Sequence, residues 1–183
     1  PIGAPKTGIF GLLDVVGLDL IPHVTESMSS NLSDEDMYNL EVNEQESLGI
    51  DKILESMISE GYTGRKGKGG FYRLNTETGK KIKESRNFET GDYNQSNKRT
   101  GLESVKAAKN GLRTLVEYND KGGEYAWRVL SKTLSYAASL VPEITDNLVN
   151  VDLAMKNGFL WKRGPFEMLD ELGPSWFAAK IAK

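Results

Sequence analysis

The sequence predicts a mainly α chain organised as a tandem helical repeat, with a small β-hairpin linker between the copies. Three observations predict it. Apolar residues recur at helical intervals over most of the chain; Gly64, Gly67, Gly69 and Gly70 interrupt that pattern ahead of a strand-like stretch; and two segments 156 positions apart share residues in register. At 183 residues the chain can hold one domain or two small lobes around a real hydrophobic core.

The elements follow in order. Ile9, Phe10, Leu12, Leu13, Val15 and Val16 form an apolar-dense helix closed by Gly17, a residue that tolerates the positive φ of a helix end. Asp19 is placed to cap a second helix, with Pro22 in its first turn and Val24 and Met28 along one side. Residues 31–46 are polar and acidic, and Ser33 to Asp36 reads as a cap or loop. Ile50, Ile53, Leu54, Met57 and Ile58 share a face of a short amphipathic helix that Gly61 stops. The glycine-rich stretch 64–70 is an extended loop leading into strands at 71–74 and 80–83 around an Asn75–Gly79 turn. Residues 87–100 read as a polar linker. Helices are expected over 102–118, over 124–140 after a Gly122–Gly123 break, from Leu148 to a stop at Gly158, and at the C-terminus around Trp176, Phe177 and Ile181. The middle one buries Trp127, Leu130, Leu134 and Ala137 or Ala138.

Composition removes several classes of chemistry. With no cysteine there is no disulfide, thiolate zinc site, iron–sulfur cluster or cysteine nucleophile, and the single histidine, His23, excludes a two-imidazole metal clamp. A net charge of −3 gives no overall pull toward nucleic acid or anionic lipid. No run approaches the roughly 20 apolar residues of a membrane span, and no signal peptide opens the chain. A cytoplasmic protein is expected.

The repeat aligns Lys6, Gly8, Phe10, Leu13, Asp14 and Gly17 with Lys162, Gly164, Phe166, Leu169, Asp170 and Gly173. Asp14 and Asp170 are therefore expected to do the same local task, holding a neighbouring helix or loop, rather than to act as paired catalytic carboxylates. Two helices precede the second copy and none precedes the first, so the chain is expected to be a fragment. No metal site and no catalytic residue is expected within it. His23 has no serine–acid geometry around it. The glycine loop is neither a Walker A motif, since Gly69 follows Lys68, nor a dinucleotide fingerprint, since no helix follows. Its Arg65, Lys66 and Lys68 suit a phosphate or pyrophosphate, or else a solvated basic linker.

Three ordered motifs carry a family resemblance. Ile9–Asp19, Gly64–Tyr72 and Val151–Glu167 resemble segments of the C-terminal domain of 3-hydroxyacyl-CoA dehydrogenases, the last being similar to the second copy in the long multifunctional fatty-acid oxidation proteins. The resemblance implies the helical fold of the 3-hydroxyacyl-CoA and 6-phosphogluconate dehydrogenase C-terminal domains. It implies a first repeat over 1–73, truncated at its N-terminal side, a hairpin and linker over 74–101, and a second repeat over 102–183. It implies oxidation of a 3-hydroxyacyl-CoA in fatty-acid β-oxidation, with hydride passing to NAD held mainly by a Rossmann domain of the same polypeptide that also carries the catalytic histidine–glutamate pair. Hydratase and thiolase components are implied as further partners. Residue by residue, Lys66 matches the lysine that reaches the NAD. Gly67-Lys68-Gly69 stands where the family has Thr-Gly-Lys, so Lys68 competes for that role. Pro5, Lys6 and Phe10 are the substrate candidates, where the domain begins to wall the acyl cleft. Two other readings remain open: a stand-alone helical interaction module, and the helical domain of another NAD-linked dehydrogenase.

Overall fold

The computed structural model describes residues 2–47, 50–77, 79–96 and 101–182. The chain forms two compact units, one over Thr7–Lys98 and one made of Pro1–Lys6 with Arg99–Lys183.

In the first unit, α1 (Ile9–Val16) ends at Gly17, whose φ of 111° only glycine adopts freely. A single 3₁₀ turn, Leu18–Leu20, leads into α2 (Ile21–Asn31), which has Pro22 in its first turn. Asp19 does not cap this helix as its position suggested; its carboxylate turns instead to a lysine 47 residues on. The polar, acidic stretch, beyond the cap or loop read at Ser33–Asp36, contains α3 (Met37–Ser47). The physical reason is Asn39, a buried side chain whose amide donates to the carbonyls of Ser29 (3.1 Å) and Ser33 (2.9 Å) and so stitches α3 to the end of α2. Apolar periodicity carries no trace of that bond.

α4 (Ile50–Ser59) stops in a Schellman arrangement, with Gly61 N–H donating to Ile58 O and Tyr62 N–H to Met57 O. Met57 is fully buried with Leu18 and Phe71, flanked by Leu13, Leu54, Ile58 and Tyr62. Ile53 lies outside this cluster, and the Ile50 side chain lies outside the described residues.

The hairpin is larger than expected. β1 (Tyr72–Asn75) pairs antiparallel with β2 (Ile82–Arg86), and β2 with β3 (Tyr93–Gln95), so part of the presumed linker is a third strand. Thr78 and residues 97–100 lie outside the described residues. Alternation of apolar residues is absent here because charge and aromatic pairs hold the sheet instead. Arg73 faces Glu84 across the ladder at 2.6 Å and stacks on Tyr93 at 4.2 Å; Lys83 lies over Tyr72 at 4.2 Å. Arg86, nearly buried, grips Glu60 at the end of α4 with two guanidinium nitrogens.

The second unit is all helix: α5 (Glu103–Ala107), α6 (Leu112–Val116), α7 (Lys121–Ser139), α8 (Leu148–Phe159), α9 (Pro165–Leu172) and α10 (Pro174–Ile181). The helix expected over 102–118 is broken at Gly111, whose φ is 119°. The Gly122–Gly123 pair, expected to separate helices, lies inside the first turn of α7. A Cβ on Gly123 would sit 2.1 Å from Tyr118 O, and one on Gly122 2.4 Å from Ser104 Oγ, so close backbone approach demands glycine there. Gly158 does not stop α8, which ends at Leu160 in a left-handed conformation. Leu112, Leu115, Val116, Ala126, Leu130, Leu134, Met168, Leu172 and Phe177 form the core, with Trp127 and Trp176 against it.

Asp120 caps α7. Its Oδ1 accepts from Gly122 and Gly123 N–H, both at 2.9 Å, while Oδ2 accepts from Ser104 N–H at 3.0 Å. Burial pulls its pKa upward, but the donors of Ser104, Gly123 and Gly122 outweigh that and hold it at about 2, below the ordinary 3.8. A carboxylate whose folded pKa is depressed stabilises the fold fully above its unfolded pKa and loses that effect as pH falls through the folded one. Thermal melts of the Asp120→Asn variant should therefore depend less on pH than those of the parent between pH 3.8 and about 2.

Candidate functional site

The glycine loop is a closed ring rather than an open extended strap. Gly64 N–H donates to Gly69 O at 2.8 Å, Gly67 N–H to Gly64 O at 3.0 Å, and the ring projects Arg65 to Lys68 outward. What holds it is Asp14. This α1 side chain is 3% exposed, and its two oxygens accept from Phe71 N–H (2.7 Å) and Tyr72 N–H (2.8 Å); its own carbonyl accepts from Arg65 N–H (2.8 Å). Such a site has no room for side chains on the loop. A Cβ on Gly70 would lie 2.0 Å from Asp14 Oδ1, and one on Gly64 2.5 Å from Asp14 O.

The two lysines of the loop separate in role. Lys68 turns back, its backbone donating to Gly61 O (3.1 Å) and its ammonium to Glu60 O (3.0 Å), so its charge sits at the C-terminal end of α4, where the helix dipole favours a cation. Lys66 points the other way, with Nζ 2.7 Å from Asp19 Oδ1, beside Gly17. Both partners are solvent-accessible, and the hydrogen bond from Lys66 holds the Asp19 carboxyl below the usual carboxylate range. The Lys66 ammonium is therefore open to solvent, whereas Lys68 is part of the loop's own anchorage. Arg65 is exposed next to Lys66.

Phe10, the substrate candidate on α1, meets Phe71 in a tilted ring contact at 4.6 Å and approaches Phe88 at 5.8 Å, giving a partly exposed aromatic surface over the loop exit. Phe88 has no distinguishing signal in the sequence. Lys66 and Phe10 thus both lie on elements that Asp14 ties together. Pro5 and Lys6 are exposed residues of the second unit's N-terminal strap, whose Gly3 carbonyl accepts from Lys162 N–H at 3.0 Å. His23 is exposed on α2 and contacts no described nucleophile.

The expectation that Asp170 repeats the work of Asp14 fails. Asp170 is exposed, and the buried carboxylate of the second unit is Asp152 on α8, which accepts from Phe166 N–H (2.8 Å) and Glu167 N–H (3.2 Å) at the start of α9. Gly164 is glycine for the same reason as Gly70: its Cβ would lie 2.1 Å from Asp152 Oδ1. The device recurs at a different helix, and position in a repeat could not reveal it.

Among the described residues no three histidine, aspartate or glutamate side chains converge as a metal site, and no helix is long and apolar enough to cross a membrane.

Residues 2–74 match the family model for the 3-hydroxyacyl-CoA dehydrogenase C-terminal domain. The chain is 38% identical over 169 residues to a putative fatty acid oxidation complex trifunctional enzyme of Rickettsia felis, with 92% of this chain covered. It is 36% identical over 185 residues to a probable 3-hydroxyacyl-CoA dehydrogenase of Bacillus subtilis, with 98% of this chain covered. In each case the chain spans 22% of the relative's length. No solved structure matches.

Loss of the clamp should be costly. Asp14→Ala leaves two backbone N–H groups without acceptors beside a small core and is expected to lower stability by roughly 2–4 kcal/mol. Gly70→Ala should destabilise the same unit, because its Cβ displaces the carboxylate. Denaturant unfolding followed at the tyrosines around the sheet checks both.

Proposed function

We propose that this chain, whose residues 2–74 match the family model for the 3-hydroxyacyl-CoA dehydrogenase C-terminal domain, is the substrate-binding and dimer-like scaffold portion of an NAD-dependent 3-hydroxyacyl-CoA dehydrogenase of fatty-acid β-oxidation. The observation that carries the reading is the Asp14-clamped glycine ring, inside the matched segment, that displays Lys66 on the surface. NAD, when bound, supplies the acceptor for the hydride leaving C3 of the substrate. The groups here fit one part of that cofactor: an exposed ammonium with an exposed guanidinium beside it suits a pyrophosphate. They supply no base for the hydroxyl proton, so that task falls to the Rossmann domain of the same polypeptide.

In this reading Lys66 exchanges Asp19 for the cofactor phosphate, and Phe10, with Pro5 and Lys6, contributes to the wall of the acyl-binding cleft. The second unit serves as scaffold. Hydratase and thiolase components are proposed companions, in keeping with the trifunctional description given to the Rickettsia protein.

The deciding experiment replaces the matched segment of the Bacillus protein with this chain. The hybrid should oxidise a 3-hydroxyacyl-CoA with NAD, while the chain alone should not reduce acetoacetyl-CoA with NADH. A well-folded hybrid without activity, or turnover by the chain alone, overturns the proposal. In the active hybrid, Lys66→Met should raise KM for NAD by about fivefold, the effect of roughly 1 kcal/mol at an exposed charge, and leave kcat nearly unchanged. An unchanged KM would remove Lys66 from the cofactor site.

A further inference from the structure

The Lys66–Asp19 ion pair is redundant for holding the glycine ring. The ring is closed by Gly64 N–H on Gly69 O and anchored on α1 by Arg65 N–H on Asp14 O, both at 2.8 Å. The 3₁₀ turn that carries Asp19 is fastened to the segment ahead of the ring by Leu18 N–H, which donates to Thr63 O at 3.1 Å. Leu18 itself is wholly buried. An ion pair between side chains that are 55% and 42% exposed adds little to these contacts.

The pair is nevertheless closely fitted. Lys66 Nζ lies 2.7 Å from Asp19 Oδ1 and 2.9 Å from Oδ2, so one ammonium meets both oxygens. Oδ1 is covered and accepts no hydrogen bond, which leaves the charge of that ammonium as its compensation. A Cβ on Gly17 would come within 2.8 Å of Oδ1 and of Nζ, and 2.9 Å of Lys66 Cε. The glycine that ends α1 thus also makes room for the lysine. Lys68 differs in what its partner does to its charge. A backbone carbonyl leaves the Lys68 charge whole, whereas a carboxylate cancels that of Lys66.

We propose that Asp19 is a resident counter-ion that competes with the cofactor's pyrophosphate for Lys66 and so limits how tightly the cofactor is held. The role rests on Lys66 meeting the cofactor phosphate, as proposed above. Carboxylate and pyrophosphate are both anions, and they repel each other across one shared ammonium. Moving the ammonium onto the phosphate removes the compensation of Oδ1, and that penalty is set against cofactor affinity. Asp19 acts on the cofactor only through Lys66.

The test uses the active hybrid and, separately, the intact chain. NADH binding to the hybrid, followed by fluorescence, should tighten about fivefold in Asp19→Asn, while Asp19→Glu, which keeps the charge, should stay near the parent. In a Lys66→Met background Asp19→Asn should change nothing, because the cation it neutralises is gone. If Lys66→Met weakens binding but Asp19→Asn does not tighten it, the role of Asp19 is overturned and that of Lys66 stands. If Lys66→Met leaves binding unchanged, Lys66 leaves the cofactor site and Asp19 goes with it. An Asp19→Asn effect that persists without Lys66 would be a general charge effect, and it overturns the pairing. Calorimetry of inorganic pyrophosphate with the intact chain gives a readout without turnover. Asp19→Asn should bind pyrophosphate more tightly than the parent, and equal affinity, or no saturable binding by either, overturns the proposal. The unfolding temperature of Asp19→Asn should stay close to that of the parent. A marked fall would make the pair a structural contact and overturn its role as a competitor.

Discussion

The first unit depends on one buried carboxylate. Its core holds only Leu18, Met57 and Phe71 as buried apolar residues among those described, against nine in the core of the second unit. A charge placed beside so small a core would cost several kcal/mol in desolvation if left alone. Asp14 offsets that cost with two short charge-assisted bonds to consecutive backbone N–H groups. From this one arrangement follow the close approach that makes Gly64 and Gly70 obligatory and the anchoring of the start of β1 to α1.

The second unit solves its own junctions with the same chemistry at other positions. Asp120 gathers three backbone N–H groups where α5 meets α7, and Asp152 gathers two where α8 meets α9. Glu171, next to the exposed Asp170, accepts from Leu112 N–H at 2.7 Å and pairs with Arg163. A repeat thus preserves the local path of the chain, glycine to helix to glycine, while the tertiary partners decide which side of that helix carries the buried charge and which side the apolar contacts.

The charged sheet follows a related logic. Its cations are not spread as a field for a polyanion: Arg73 and Arg86 are spent on Glu84 and Glu60, and both lie near the Tyr93 ring. Burial raises the Tyr93 hydroxyl, which donates to Gly70 O and so fastens the far end of the glycine ring. Against that background Lys66 and Lys68 differ in kind. Both are held, but only Lys66 is held by an exposed carboxylate, whereas Lys68 is held by a helix-end carbonyl.

The sequence alone determined the helical class, the glycine stops at positions 17 and 61, the repeat, and the likeness of residues 2–74 to the 3-hydroxyacyl-CoA dehydrogenase C-terminal domain. All of these are local signals: periodicity, backbone freedom and motif order are properties of neighbouring residues. It pointed to the loop and to Lys66, yet could not separate Lys66 from Lys68, because that choice depends on Asp19 and on the Glu60 carbonyl, 47 and 8 residues away. Only the tertiary structure decided the helix at 37–47, where Asn39 binds carbonyls of the preceding turn, and the third strand, where Arg and Tyr replace an apolar alternation. It alone decided that Asp14 is buried and Asp170 exposed. A carboxylate's role is set by which donors reach it, and those of Asp14 lie 57 and 58 residues along the chain, beyond any local window.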